Sequence, residues 1–322
     1  MTDVVQLPQL DGATAWLNSP PLAPEDLRGR VVLVDFWTFT CINWLRTAPY
    51  IRAWAQKYEA RGLTVIGVHT PEFGFEHDVE RVRAVVRDRG IEYPVAVDDD
   101  YAVWSAFSNH YWPAIYIADA AGAIRHQHFG EGEYERTEQV LQQLLAEAGA
   151  RAADDDLVTV EGTGDEAPAD WGALASPETY LGYERTDSFA SPGGAVLDAP
   201  HAYAAPADLP LNHWALSGTW MLEPGGVVLE DAGGGIAFRF RARDVHLVMG
   251  PVAPAPPVAF RVTIDGEAPG AAHGADVDAD GRGVAAERRL YQLVRQPGAV
   301  GEHTFEVTFA APGVRAYVFT FG

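Results

Sequence analysis

The run Val31-Val32-Leu33-Val34-Asp35-Phe36-Trp37 constrains this chain more than any other. It is apolar without alternation, the pattern of a strand covered on both faces. Such strands belong to sheets layered between helices. The residues that follow keep to that plan. Trp44, Ala48, Ile51, Ala55 and Tyr58 recur at helical spacing, and the helix stops near Gly62. Leu63-Thr64-Val65-Ile66-Gly67-Val68 reads as a second buried strand. Phe75, Val79, Val82 and Val86 mark a second helix, ended by Gly90, and a short helix is expected over 100–107. Residues 114–118 and 123–127 read as a hairpin around Ala121-Gly122. A last helix covers 133–148, with Val140, Leu141, Leu144 and Leu145 facing inward. Strand, helix, strand, helix, hairpin, helix predicts an α/β domain with a mixed sheet over residues 1–150.

The pattern changes after residue 150. Residues 151–175 hold few large apolar side chains and read as a linker. Beyond them, helical periodicity fades. Short strands are expected at 226–230, 235–241, 244–250, 258–264, 287–295, 302–309 and 314–321, with Gly, Pro and Asp between them. That spacing predicts an all-β antiparallel sandwich, jelly-roll-like, over 176–322. A chain of 322 residues has room for both domains.

Charge and cysteine content narrow the chemistry. The formal net charge of −22 argues against binding nucleic acid or anionic membranes. No stretch is long and apolar enough for a membrane span, and residues 1–6 lack the features of a secretory signal. A cytoplasmic location is the expectation, or an extracytoplasmic one if the sequence is part of a longer chain. Cys41 is the single cysteine, so neither an internal disulfide nor a Cys-rich zinc site can form. His69, His77 and His110 show no ligand spacing.

Cys41 stands between a buried strand and a helix. The first amides of a helix are unpaired and favour an anion, which biases a thiol there toward thiolate. Asp35 lies inside the strand pattern, where burial would raise its pKa and let it exchange protons with the sulfur. Pro49 falls inside the helix, and Trp112-Pro113 precedes a strand, a place for a cis bond. The opposing readings are an inert buried cysteine and a merely satisfied carboxylate.

Taken in order, Val34-Asp35-Phe36-Trp37, Cys41, Pro49 and Pro113 resemble the thioredoxin superfamily. Three segments are similar to TlpA-like redoxins and most of all to the soluble C-terminal region of DipZ-type thiol–disulfide proteins. They are Phe36-Trp37-Thr38-Phe39-Thr40-Cys41-Ile42-Asn43, His69-Thr70-Pro71-Glu72-Phe73 and Tyr111-Trp112-Pro113-Ala114. Residues 176–185, 211–218 and 290–295 resemble the carbohydrate-binding-module-like domain that follows in that family. The resemblance implies a thioredoxin-like fold, with Cys41 as nucleophile and Asp35 as proton relay. It also implies substrate contacts around Trp37, Trp44, Trp112 and Pro113, because the backbone before the proline pairs with an incoming chain. Expected partners are a thiol, a disulfide-containing protein or a small thiol.

One departure stands out. The family motif is Cys-x-x-Cys, and here it reads Cys41-Ile42-Asn43-Trp44. Cys41 can form a mixed disulfide, but only an external thiol can resolve it. Two alternatives remain. Thr38 precedes Cys41 at the spacing of peroxiredoxins, in which a threonine positions a peroxide, so a single-cysteine thiol peroxidase is one. A redox-inactive binding protein is the other. No cofactor is expected. A weak calcium candidate lies in Asp276, Asp278 and Asp280, which with Gly281 and Glu287 fit an EF-hand loop pattern without its flanking helices. Trp214, Trp220, Tyr291 and Tyr317 could stack on a saccharide, although such rings in a sandwich more often form the core.

Overall fold

A computed structural model describes residues 5–150, 156–252 and 256–322. The chain divides into two compact units, Met1–Ala167 and Pro168–Gly322. The division falls within the segment expected to link them. Residues 156–167 pack on the first unit, where the Val158 amide donates to Glu138 at 2.9 Å. Glu166 pairs with Arg52 at 2.8 Å and Asp165 with Arg89 at 2.6 Å.

In the first unit the elements run β1 (Ala15–Leu17), α1 (Pro24–Leu27), β2 (Val31–Trp37), α2 (Ile42–Tyr58), β3 (Leu63–His69) and α3 (Val79–Asp88). They continue with β4 (Val95–Val97), α4 (Ala102–Ala106), β5 (Ala114–Ala118), β6 (Ile124–Phe129) and α5 (Tyr134–Glu147). The sheet order is β1-β4-β3-β2-β5-β6. β2, β3 and β4 are parallel, while β1, β5 and β6 join antiparallel. β2 lies inside the sheet and every residue of it is buried. Its alternate side chains serve opposite faces. Val32, Val34 and Phe36 join a core with Ile66, Val68, Ala96, Phe107 and Tyr116. Asp35 and Trp37 point the other way, where Asp35 meets Trp44 of α2. α2 ends through a 3-10 turn at Glu59–Arg61, and Gly62 closes it in the left-handed region at φ +102°. The expected helices and hairpin are all present. β1 and β4, three residues each, are additional.

The second unit contains β7 (Thr179–Tyr180), β8 (Pro200–Tyr203), β9 (Trp214–Glu223), β10 (Gly226–Leu229), β11 (Gly235–Arg241) and β12 (Asp244–Pro251). After these come β13 (Val258–Ile264), β14 (Arg282–Ala285), β15 (Arg289–Arg295), β16 (Glu302–Phe309) and β17 (Val314–Phe321). All these strands pair antiparallel in one curled 11-stranded sheet. β9 makes the curl. Its first half pairs with β11 and its second half with β8 and β10. Gly218, at φ +88°, sits at the changeover, within 2.7 Å of Gly234 when a Cβ is placed on it. The two arms enclose a core that includes Trp214, Trp220, Phe238, Phe305 and Phe319. The expected strands are present, and β7, β8, β9 and β14 are additional. No helix among the described residues is long and apolar enough to cross a membrane.

Candidate active site

The site is built where β2 gives way to α2. Residues 38–41 form a turn closed by the Cys41 amide donating to the Thr38 carbonyl at 3.2 Å. Cys41 is the N-cap of α2, with extended backbone, and its carbonyl accepts from the Leu45 amide at 3.0 Å. The sulfur is half-buried and lies 3.6 Å from the Trp112 carbonyl oxygen. A thiol can donate in that contact, and a thiolate cannot. The carbonyl therefore favours the protonated sulfur, while the unpaired amides of α2 favour the anion. Trp112-Pro113 is cis, as expected, and stands beside the nucleophile.

Asp35 is fully buried on the α2 side of the sheet. Its Oδ2 accepts from the Trp44 indole at 3.1 Å. Burial pushes its carboxyl up to about 8, with the Trp44 hydrogen bond opposing that rise. Asp35 is therefore a neutral acid at pH 7. Its Oδ1 has no hydrogen-bond partner among the described residues. Trp44 holds the position of the family's second thiol. It is fully buried and stacks on Trp37, ring centres 4.2 Å apart at 16°. Trp37 in turn meets His69 edge-on at 4.8 Å.

The structure thus gathers Asp35, Trp37, Cys41, Trp44, Trp112 and Pro113 at one end of β2. It also sorts them by depth. Trp37 and Trp44 are fully buried, Trp112 is partly exposed, and the exposed aromatics nearby are Tyr111 and Phe129, 5.2 Å apart. Thr38 is fully buried.

Two residues of the site have no role assigned from the sequence, although His69 opens one of the segments similar to the redoxins. His69 is fully buried at the end of β3, stacked on Phe39 at 5.6 Å, and burial lowers its pKa to about 3, so it is neutral. Glu76 is fully buried in a 3-10 turn, Gly74–His77, and accepts from the Thr40 hydroxyl at 2.7 Å. Burial pushes it up to about 7, against the Thr38 and Thr40 hydroxyls and the Phe73 amide, which favour the charged form. The Glu72 charge adds to the rise.

In the second unit, Trp214, Trp220, Tyr291 and Tyr317 are all buried. Asp276 accepts from Arg289 at 2.6 Å and from the Gln292 amide at 2.8 Å. Asp278 accepts from the Arg282 amide at 2.8 Å, and Asp280 pairs with the Arg282 guanidinium. Among the described residues, no group of three metal-ligating side chains converges.

Residues 14–127 match the AhpC/TSA family, and residues 176–322 match the thioredoxin-like C-terminal domain. Thiol-disulfide oxidoreductase YkuV of Bacillus subtilis is 30% identical over 141 residues, which is 44% of this chain and 95% of YkuV. The chain belongs to the thioredoxin-like thiol–disulfide oxidoreductase family. Protein DipZ of Mycobacterium tuberculosis is 40% identical over 248 residues, 76% of this chain. The chain spans 35% of the length of DipZ. A solved thioredoxin-like protein in its oxidized form is 31% identical, with 46% of this chain and 99% of that one covered at a TM-score of 0.42. Within this thioredoxin-like family, the present chain has Trp44 where the motif places its second cysteine, and Asp35 takes its hydrogen bond from that tryptophan.

Proposed function

We propose that the first unit carries out thiol–disulfide exchange through Cys41 alone, with resolution by an external thiol. The Cys41 thiolate attacks one sulfur of a partner disulfide. The new Cys41–partner bond forms as the old S–S bond breaks, and the other sulfur leaves as a thiolate. Asp35, neutral beneath the site, supplies the proton that this leaving group takes up. A second thiol, from a small molecule or another protein, gives its proton back to Asp35, and its thiolate attacks the mixed disulfide and releases Cys41 as a thiolate. One S–S bond is broken and one formed in each step, so electrons balance without a cofactor. The observation that carries this reading is the placement of the only cysteine. It caps α2 beside the Trp112 carbonyl, with a buried tryptophan in the resolving position. Family membership supports it.

Insulin reduction tests the proposal. A monothiol such as glutathione should sustain turnover, and Cys41→Ser should abolish it. A reductase that acts only on disulfides closed within one chain should not sustain it without added thiol. Rapid turnover with that reductase alone would mean that Cys41 is resolved by another route.

A peroxidase reading has two specific supports, the AhpC/TSA match and the Thr38-x-x-Cys41 spacing. In it, the Cys41 thiolate takes one peroxide oxygen as sulfenic acid and releases an alcohol or water. A thiol then condenses with the sulfenic acid and releases water. Peroxide consumption with a monothiol donor, faster than insulin reduction, would favour it.

A further inference from the structure

The buried carboxylate of Glu76 joins two loops, and one of them carries the nucleophile. Oε1 accepts from the Thr40 hydroxyl at 2.7 Å and from the Thr40 amide at 3.3 Å. Oε2 accepts from the Glu72 amide at 2.7 Å and from the Phe73 amide at 2.9 Å. One side chain thus pins the residue before Cys41 to the loop that follows β3. Aromatic packing holds the same two loops together. Phe39 stacks on His69 at 5.6 Å and meets Phe75 at 5.9 Å, while Phe73 and Phe75 stack at 5.8 Å. The loop after β3 is itself anchored. The Thr70 amide donates to the Trp37 carbonyl at 3.0 Å, and the Thr70 hydroxyl reaches Asp98 at 3.2 Å. Asp98 is fixed in turn by the Val103 and Trp104 amides at the start of α4.

A buried carboxylate is expensive unless its acceptor sites are filled. A core of this size could use an apolar residue at position 76 if packing were the only need. The carboxylate instead gathers donors from both sides, and only the Thr40 side leads to the sulfur. Thr40 sets the backbone entering Cys41, and Cys41 sets the first turn of α2. A loose Thr40 would let the sulfur drift from the helix amides on one side and the Trp112 carbonyl on the other. Errors of about an ångström in such a site lower rates by roughly a hundredfold.

We propose that Glu76 is a positioning residue for Cys41, acting through Thr40 to hold the sulfur at the N-terminus of α2 and against the Trp112 carbonyl. Its value for catalysis rests on the exchange reading given above, but its effect on the sulfur does not.

Iodoacetamide alkylation of Cys41 in the full chain, from pH 5 to 10, reads that effect directly, because no other cysteine reacts. Three variants separate positioning from folding. Thr40→Val removes only the hydroxyl link and keeps the backbone bond. Glu76→Ala removes every link. Glu76→Gln keeps a carbonyl for the Glu72 and Phe73 amides and offers its NH2 to the Thr40 hydroxyl, but leaves the Thr40 amide without its acceptor. Each is assayed at a temperature where circular dichroism shows it folded. The expected result is an altered pH-independent alkylation rate, by about threefold or more in Thr40→Val and about tenfold in Glu76→Ala. The midpoint of the pH profile should move in both, and Glu76→Gln, which keeps three of the four links, should fall between Glu76→Ala and the wild-type profile. Unchanged rates and midpoints in Thr40→Val and Glu76→Ala, with only the melting temperature lowered, would overturn the proposal. Failure of the exchange reading shows elsewhere, as absence of monothiol-dependent insulin reduction in the unaltered chain.

Discussion

The pairing of Asp35 with Trp44 decides how the site differs from a dithiol one. Burial holds the Asp35 carboxyl toward its protonated form, and among the described residues the indole N–H is the donor on its Oδ2. Because that bond favours the charged form, Trp44→Phe should raise the Asp35 pKa further above about 8. An NMR titration of the Asp35 carboxyl carbon would show it. Stability should carry the same signature. The folded-state pKa of Asp35 lies above its unfolded value of 3.8, so the folded chain holds the proton more tightly. This carboxyl therefore lowers stability as pH rises from about 4 to about 8, by about 1.4 kcal/mol per pH unit at most. Asp35→Asn should flatten that decline and be the more stable form near pH 8, as urea denaturation at several pH values would show. Asp35 and Cys41 were legible in the sequence, because a carboxylate interrupting an apolar run and a lone cysteine after it are both conspicuous. Glu76 was not. A glutamate in a Phe-Gly-Phe-Glu turn reads as exposed, and only the tertiary fold brings Thr40 over it.

α2 shows what periodicity reveals and what it hides. Its apolar spacing matches its extent and most of its buried face, although Ala55 is half-buried and Trp54, outside that spacing, is fully buried. It gave no sign of Glu138 on α5, which is buried and takes the Trp54 indole at 3.1 Å, the Tyr58 hydroxyl at 2.5 Å and Lys57 at 3.3 Å. The same carboxylate accepts from Val158, so it ties α2, α5 and the segment after α5 together. Glu138→Ala would leave the Trp54 indole and the Tyr58 hydroxyl buried without this acceptor, while Lys57 keeps the Asp156 carbonyl. A loss of roughly 3–5 kcal/mol is expected, measured by urea denaturation with Glu138→Gln as the milder comparison. The same limit explains β9. Ser217, Gly218 and Thr219 interrupt its apolar alternation. That interruption is the point where the strand leaves one arm of the sheet for the other, so the feature that curls the sheet also masks the strand.

Across the whole chain, the acidic surplus and the single cysteine exclude more than they specify. The proposed exchange runs through one sulfur, and in the second unit Trp214, Trp220, Tyr291 and Tyr317 are buried. In the Asp276, Asp278 and Asp280 loop, Arg289 pairs with Asp276 and Arg282 with Asp280. Millimolar calcium should leave the melting temperature unchanged, and a rise with calcium concentration would show a site that the arginines give up. In the proposed exchange, Cys41 forms a mixed disulfide that this chain cannot resolve. Intact-protein mass spectrometry after incubation with oxidised glutathione, followed by removal of free thiols, reads that species. One glutathione per chain is expected, on Cys41, persisting for hours and released at once by added monothiol. In Trp44→Cys the same adduct should collapse to an internal disulfide. A wild-type chain that stays unmodified while fully folded would overturn exchange through Cys41 and leave it an inert residue.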